Sequence, residues 1–251
     1  MARRLQQAGH TVHAWNRTQS KADPLAALGI AVHATVAEAV RQADIVVSLL
    51  ENGPAVEHVL FHAGAAQAMR PGTLFIDMAS IQPREARDHA ARLGEMGLAH
   101  LDAPVSGGTV GAENGTLAIM AGGRAEDFAR AQPVFAALGR ATHVGPHGSG
   151  QLAKLANQMI VGITIGAVAE ALLFAAKGGA DMAKVREAIQ GGFADSRILQ
   201  LHGQRMVDRD FAPKARMGVQ LKDMRNALGT AKEIGFDAPV TTLFEALYAE
   251  G

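Results

Sequence analysis

Over roughly the first 145 residues, apolar positions come in short runs separated by stretches with helical spacing. Thr11 to Trp15 alternates apolar and polar, as a half-buried strand does. Ile45 to Leu50 and Thr73 to Asp77 are almost continuously apolar, and further strands are expected at Ala31 to His33, Ala99 to Ala103, Leu117 to Ala121 and Thr142 to Val144. Helices are expected between them, over Ser20 to Leu28, Val36 to Arg41, Pro54 to Leu60, Pro83 to Met96 and Ala125 to Ala137. Continuous apolar strands interleaved with helices predict an α/β fold with a parallel sheet covered on both faces. The segment Ala2 to Ala8 reads as the last turns of a helix stopped by Gly9.

Beyond Gly150 the periodicity changes. Gln151 to about Ala176 is one long helical pattern, and the remainder, to Tyr248, predicts helices without a strand. Two domains are therefore expected, a sheet domain over 1–146 and an all-helical domain over 147–251, with the boundary near Gly145 to Gly150. The apolar run from Met159 to Ala169 is flanked by Lys154, Asn157, Gln158 and Glu170. It is shorter than the roughly 20 residues a membrane span needs, so a buried helix is expected and no membrane association.

Charge and composition narrow the function classes. Lys and Arg number 24, and so do Asp and Glu, so the cationic surplus of a nucleic-acid binder is missing. The chain has no cysteine, which excludes disulfides and thiolate chemistry and leaves Lys, His, Asp, Glu, Ser or Tyr to act. No metal site is expected. Charges fall where a signal peptide would need its apolar stretch, within Met1 to His10, and a cytoplasmic location is expected.

In a parallel sheet the chemistry belongs just after the strands, in the crevice at their carboxyl ends. Four stretches fall there: Asn16-Arg17-Thr18, Leu49-Leu50-Glu51-Asn52, Asp77-Met78-Ala79-Ser80-Ile81 and Asp102-Ala103-Pro104-Val105-Ser106-Gly107-Gly108. An acid after the first of these strands would suit a ribose 2′-hydroxyl, whereas Arg17 suits a 2′-phosphate; a solvated turn arginine is the bland alternative. By position alone, the second and third could be plain connecting loops. In the fourth, Pro104 fixes the chain, and Gly107 and Gly108 let backbone N–H groups close on an anion such as a carboxylate. An empty glycine hairpin is the bland alternative. Lys154 and Asn157 stand one turn apart near the start of the long helix. A lysine there is poorly placed for the helix dipole, and burial favours its giving up a proton, the property of a general acid. A lysine that snorkels to solvent would need no such role.

Together, Asp102-Ala-Pro-Val-Ser-Gly-Gly108, Gly115-Thr-Leu117, Gly148-Ser-Gly-Gln151 with Lys154 and Asn157, and Lys222-Asp223 resemble the β-hydroxyacid dehydrogenase family over essentially the whole chain. The resemblance implies a Rossmann-like first domain and a helical domain for substrate and dimerisation. It implies Lys154 as acid/base, Asn157 holding the substrate, and Ser106, Gly107 and Gly108 as the carboxylate cradle. Asn16, Arg17, Thr18, Leu50, Glu51, Ser80 and Lys222 would contact the cofactor, NADP by Arg17, with NAD the alternative. Asp223 would support Lys222 or the site wall. Asn157-Gln-Met-Ile-Val161 and Gly191-Gly-Phe-Ala-Asp-Ser-Arg-Ile198 look more like the family's tartronate semialdehyde reductases than its 3-hydroxyisobutyrate enzymes. Glu51 departs from the proline common there.

The substrate so implied is a small carboxylate-bearing aldehyde or alcohol, and the assembly a homo-oligomer. Family members open with a strand and a Gly-x-Gly-x-x-Gly turn, and Met1-Ala2 aligns inside the next helix. The sheet domain is therefore expected to lack its first strand and pyrophosphate loop, and the helical domain its closing helix. An inactive fragment or interaction module is the rival of another class. A 6-phosphogluconate-type substrate is a further alternative, without an obvious basic cluster to receive its phosphate.

Overall fold

The computed structural model describes residues 1–212 and 216–251, which form two compact units, Met1–Lys154 and Leu155–Gly251.

The first unit is a sheet between helical layers. Its strands are β1 (His13–Ala14), β2 (Ala31–Val32), β3 (Ile45–Ser48), β4 (Leu74–Asp77), β5 (Ala99–Asp102), β6 (Val105–Ser106), β7 (Leu117–Gly123) and β8 (Gly139–Gly145). β1 and β2 pair in parallel as a separate two-stranded sheet. β3, β4 and β5 run parallel, in the order β3-β4-β5-β7-β6, with β8 parallel to β7. β7 runs antiparallel to both β5 and β6, a mixture that apolar runs do not reveal, because a strand buried on both faces reads the same in either direction.

Alternation along β4 and β5 sorts the two faces. Leu74, Ile76, Ala99 and Leu101 join one core with Leu117, Ile119, Val134, Phe135 and Leu138. Phe75 faces the other core, with Ile81, Ala86, Leu93 and Leu98. The pairing sets Phe75 beside His100 and Asp77 beside Asp102, so a polar row runs along the second face. The rings of Phe75 and His100 stack with centroids 6.0 Å apart.

Helices α1 (Ala2–Gln7), α2 (Val36–Val40), α3 (Gly53–Glu57), α4 (Ala65–Ala68), α5 (Pro83–Glu95), α6 (Gly108–Asn114) and α7 (Ala125–Leu138) complete this unit. Thr35 and Glu38 close a reciprocal cap on α2, the Thr-x-x-Glu signature of a helix start. The helix expected over Ser20 to Leu28 is instead two short 3-10 segments, Gln19–Lys21 and Asp23–Leu28. Pro24 has no N–H to donate, and its ring crowds the carbonyl four residues back, which disfavours one continuous helix there. The helix expected over Pro54 to Leu60 passes from α3 into a π-helical turn at His58–His62. The glycine-rich loop after β5 is only partly a loop, since α6 forms across Gly108 and Gly111 and ends at Gly115 with φ 69°. Packing overrides propensity here, because a Cβ on Gly111 would meet Leu117 at 3.1 Å.

α8 (Ser149–Lys177) begins in the first unit and continues into the second. The second unit adds α9 (Met182–Ile189), α10 (Gln204–Asp208), α11 (Met217–Glu233) and α12 (Pro239–Glu250), with no strand among the described residues. Its small core gathers Val168, Leu172 and Leu199 with Met182, Val185 and Ile189. The buried helix expected around Met159 to Ala169 is not observed as such. α8 is long and apolar enough to cross a bilayer by length and composition, yet Ile160, Leu173 and Phe174 are exposed. Apolar periodicity says that a face wants covering and not what covers it.

His100 is almost fully buried, and neither ring nitrogen has a hydrogen-bond partner among the described residues. Burial, with the neighbouring His147 and His89 adding to it, pushes its pKa down to about 3. The unfolded chain takes up a proton near 6.5 and the folded one does not, so this residue costs stability as pH falls from about 6.5 towards 3. His100→Phe is therefore expected to lose less of its Tm between pH 7.5 and pH 5 than the parent protein, measured by thermal melts. An equal or larger loss would count against this account.

Candidate functional site

The parallel strands β3, β4 and β5 end together, with Ser48, Asp77 and Asp102 in register, so the stretches after them leave from one rim. Leu50 is half-buried and Glu51 exposed after β3, and Ser80 is half-buried after β4. Two buried polar atoms at this rim, Ser48 Oγ and Asp77 Oδ2, have no hydrogen-bond partner among the described residues. Buried polar atoms are normally paired, so two unpaired ones at these strand ends cost stability. After β1, the Asn16 carboxamide oxygen accepts from the Thr18 N–H at 2.9 Å, closing a turn around the exposed Arg17.

β5 runs through Ala103 and Pro104 into β6, which ends at Ser106. Gly107 and Gly108 come next, with φ of 133° and 64°, backbone that side chains rarely adopt. A Cβ on Gly107 would in addition press on Leu117 at 3.2 Å. Ser106 is half-buried and both glycines are exposed, so their N–H groups are accessible to an anion.

The same strand end also holds the start of α8. One carboxylate oxygen of Asp102 accepts from Gly148 N–H at 2.8 Å and the other from Gln151 N–H at 3.0 Å. Burial pushes the Asp102 carboxyl upward, and the Gly148 and Gln151 N–H bonds pull it back. Gln151 is fully buried; its side-chain nitrogen donates to Ala79 O at 2.8 Å and its oxygen accepts from Ile81 N–H at 3.1 Å. Gly150 admits no Cβ, which would fall on the carbonyl oxygens of Asp102 and Met120. One turn after Gln151 stands Lys154, itself buried at 9% exposure.

In the second unit, Asn157 is half-buried on α8 and donates to the Gln158 side chain at 2.9 Å. Gln158 in turn donates to buried Asp223 at 2.6 Å, and Lys222 lies 3.0 Å from the same carboxylate. Asp223 thus contacts both Lys222 and Gln158.

Comparison with known proteins fits these features. Residues 1–146 match the family model of the NAD-binding domain of 6-phosphogluconate dehydrogenase, and residues 148–251 that of the NAD-binding domain of NADP-dependent 3-hydroxyisobutyrate dehydrogenase. The chain is 43% identical to the 2-hydroxy-3-oxopropionate reductase of Escherichia coli, over 99% of this chain and 85% of that one. The chain belongs to the β-hydroxyacid dehydrogenase family, NAD(P)-dependent oxidoreductases. This dehydrogenase is also 36% identical to a probable 3-hydroxyisobutyrate dehydrogenase-like protein of Arabidopsis thaliana, over 99% of this chain and 75% of that one. In structure it resembles the Mycobacterium tuberculosis 3-hydroxyisobutyrate dehydrogenase solved with L-serine, with a TM-score of 0.91, 32% identity and coverage of 99% and 88%.

The residues of the dehydrogenase, taken in sequence alone, pointed to the cradle and Lys154 but gave no role to Asp77, Asp102 or Gln151. Two acids closing adjacent strands were the visible signal; their partners lie 2 to 49 residues away in sequence.

Burial raises the Asp77 carboxyl to about 7, against the pull of the Ala79 N–H and with Asp102 and Glu85 adding to the rise. The unfolded carboxyl releases its proton near 3.8, so the folded state binds the proton more tightly between about pH 4 and 7. Stability from this group is present below pH 4 and is lost as pH rises through 7. Asp77→Asn, neutral throughout, is expected to gain Tm relative to the parent protein between pH 5 and pH 8. Parallel melts whose difference stays constant across that range would refute the raised carboxyl.

Proposed function

We propose that this member of the family reduces 2-hydroxy-3-oxopropionate reversibly, with NADP as its cofactor and Lys154 as general acid and base. The observation that carries this reading is that one strand end, β5 at Asp102, both leads into the Ser106–Gly108 cradle and fixes the helix turn that bears buried Lys154. When bound, the cofactor supplies or accepts the hydride.

In the reductive direction the Lys154 ammonium gives its proton to the carbonyl oxygen and, before that, stabilises the negative charge developing there. In the oxidative direction the neutral amine takes the hydroxyl proton. Ser106 and the Gly107 and Gly108 N–H groups hold the substrate carboxylate, which fixes the carbon that reacts. Asn16, Arg17 and Thr18 suit the adenosine ribose, where Arg17 favours a 2′-phosphate. Leu50, Glu51 and Ser80 line the nicotinamide side. Asn157 and Lys222 keep the roles that the family resemblance implies. The 43% identity to the Escherichia coli reductase supports the substrate. The exposed apolar residues Ile160, Leu173 and Phe174 support a homo-oligomer.

A panel of tartronate, methylmalonate and succinate semialdehydes with glyoxylate is expected to give the highest kcat/KM with the first; a clear preference for another aldehyde rejects the substrate. Lys154→Ala is expected to lower turnover by about 10²- to 10⁴-fold, the usual contribution of a general acid, while NADPH affinity changes little. Near-normal turnover in that variant rejects the lysine. Efficiency with NADPH is expected to exceed that with NADH, and equal values reject the role of Arg17. Failure of the chain to bind NADPH in calorimetry favours the inactive-module alternative.

A further inference from the structure

We propose that Gln151 is a positioning residue, whose buried side chain clamps the Ser80 loop to the first turn of α8 and so sets where Lys154 stands. The inference rests on the reading of Lys154 as acid/base and of Ser80 as part of the nicotinamide side.

The clamp has two points. The Gln151 carboxamide donates to Ala79 O at 2.8 Å and accepts from Ile81 N–H at 3.1 Å, gripping the backbone on both sides of Ser80. Only one orientation of the amide satisfies a carbonyl and an N–H together, so its nitrogen and oxygen are assigned by their partners. From the same residue the backbone N–H bonds Asp102 at the end of β5. Gln151 is therefore where the loop after β4, the end of β5 and the start of α8 meet. Lys154 comes three residues later, on the same helix face.

A fully buried amide is an unusual choice for simple packing. A side chain of similar volume without polar atoms would fill the space but leave the Ala79 carbonyl and the Ile81 N–H without this partner. What the amide adds is direction: two bonds of fixed geometry between the loop and the helix turn. If these slip, Lys154 and the Ser80 loop can shift separately, and in a hydride-transfer site a displacement of about 1 Å costs on the order of a hundredfold in rate.

Gln151→Met keeps volume and removes both bonds. Gln151→Glu keeps the acceptor for Ile81 but turns a carboxylate oxygen towards the Ala79 carbonyl. In the 251-residue chain, either variant is expected to lower kcat by about 10- to 100-fold while KM for NADPH and aldehyde stays within about threefold. Joined to Lys154→Ala, it should cost little more than Lys154→Ala alone, since a residue acting through the lysine has nothing left to act on.

A second readout does not use turnover. Trace acylation of the cofactor-free protein, read by mass spectrometry, should label Lys154 several-fold faster in Gln151→Met than in the parent, with Lys177 and Lys184 unchanged. Multiplicative losses in the double variant, or unchanged labelling of Lys154, overturn the proposal. Loss of the native far-UV spectrum in both variants also overturns it, because Gln151 is then needed for folding. If Lys154→Ala alone keeps normal turnover, the acid/base reading fails, and the labelling still decides whether Gln151 holds the lysine.

Discussion

The Asp102 carboxylate carries more of this structure than its single place in the sequence suggests. It sits at the buried end of β5 and accepts two backbone N–H groups from the start of α8, one from Gly148 and one from Gln151. Those N–H groups belong to a helix start, where donors lack partners within the helix and the dipole favours negative charge. The carboxylate thus finds partners although burial opposes its charge. The close approach needs glycine: a Cβ on Gly122 would reach Asp102 at 2.8 Å and the Gly150 nitrogen at 2.6 Å. The strand end, the glycine turn that follows it and the lysine helix all meet at this junction.

Around it lies a polar row inside an otherwise apolar layer. Asp77 pairs in register with Asp102, and His100 lies beside Phe75 on the same face. Two adjacent carboxylates do not readily both ionise in a buried place, and Asp77 is the one whose proton is held to about 7. Open polar atoms at Asp77, Ser48 and His100 cost stability that an apolar rim would keep. Such costs concentrate where a protein binds or reacts.

The second unit shows a different economy of packing. Its core is small, and large apolar side chains on α8, such as Phe174, are left exposed in the isolated chain. Among its polar contacts, the buried Asp223 bonds Gln158 and lies 3.0 Å from the partly exposed Lys222.

The sequence by itself determined the strands at Ile45, Leu74, Ala99 and Leu117, the change to helices after Gly150, and the glycine-rich turn after Pro104. These depend on periodicity and backbone permissiveness, which are local. It also carried the motifs that resemble one dehydrogenase family, and hence Ser106, Gly107, Gly108 and Lys154 as candidates. It did not reveal that Pro24 and Gly111 sit in 3-10 and α-helical segments, that β7 reverses against β5, or that α8 stays largely uncovered. Nor did it give Asp102 and Gln151 their places, because their bonds join residues 46 to 72 positions apart. Only tertiary structure brings a strand end, a loop and a helix start within about 3 Å of one another, and hydrogen bonding is decided at that distance.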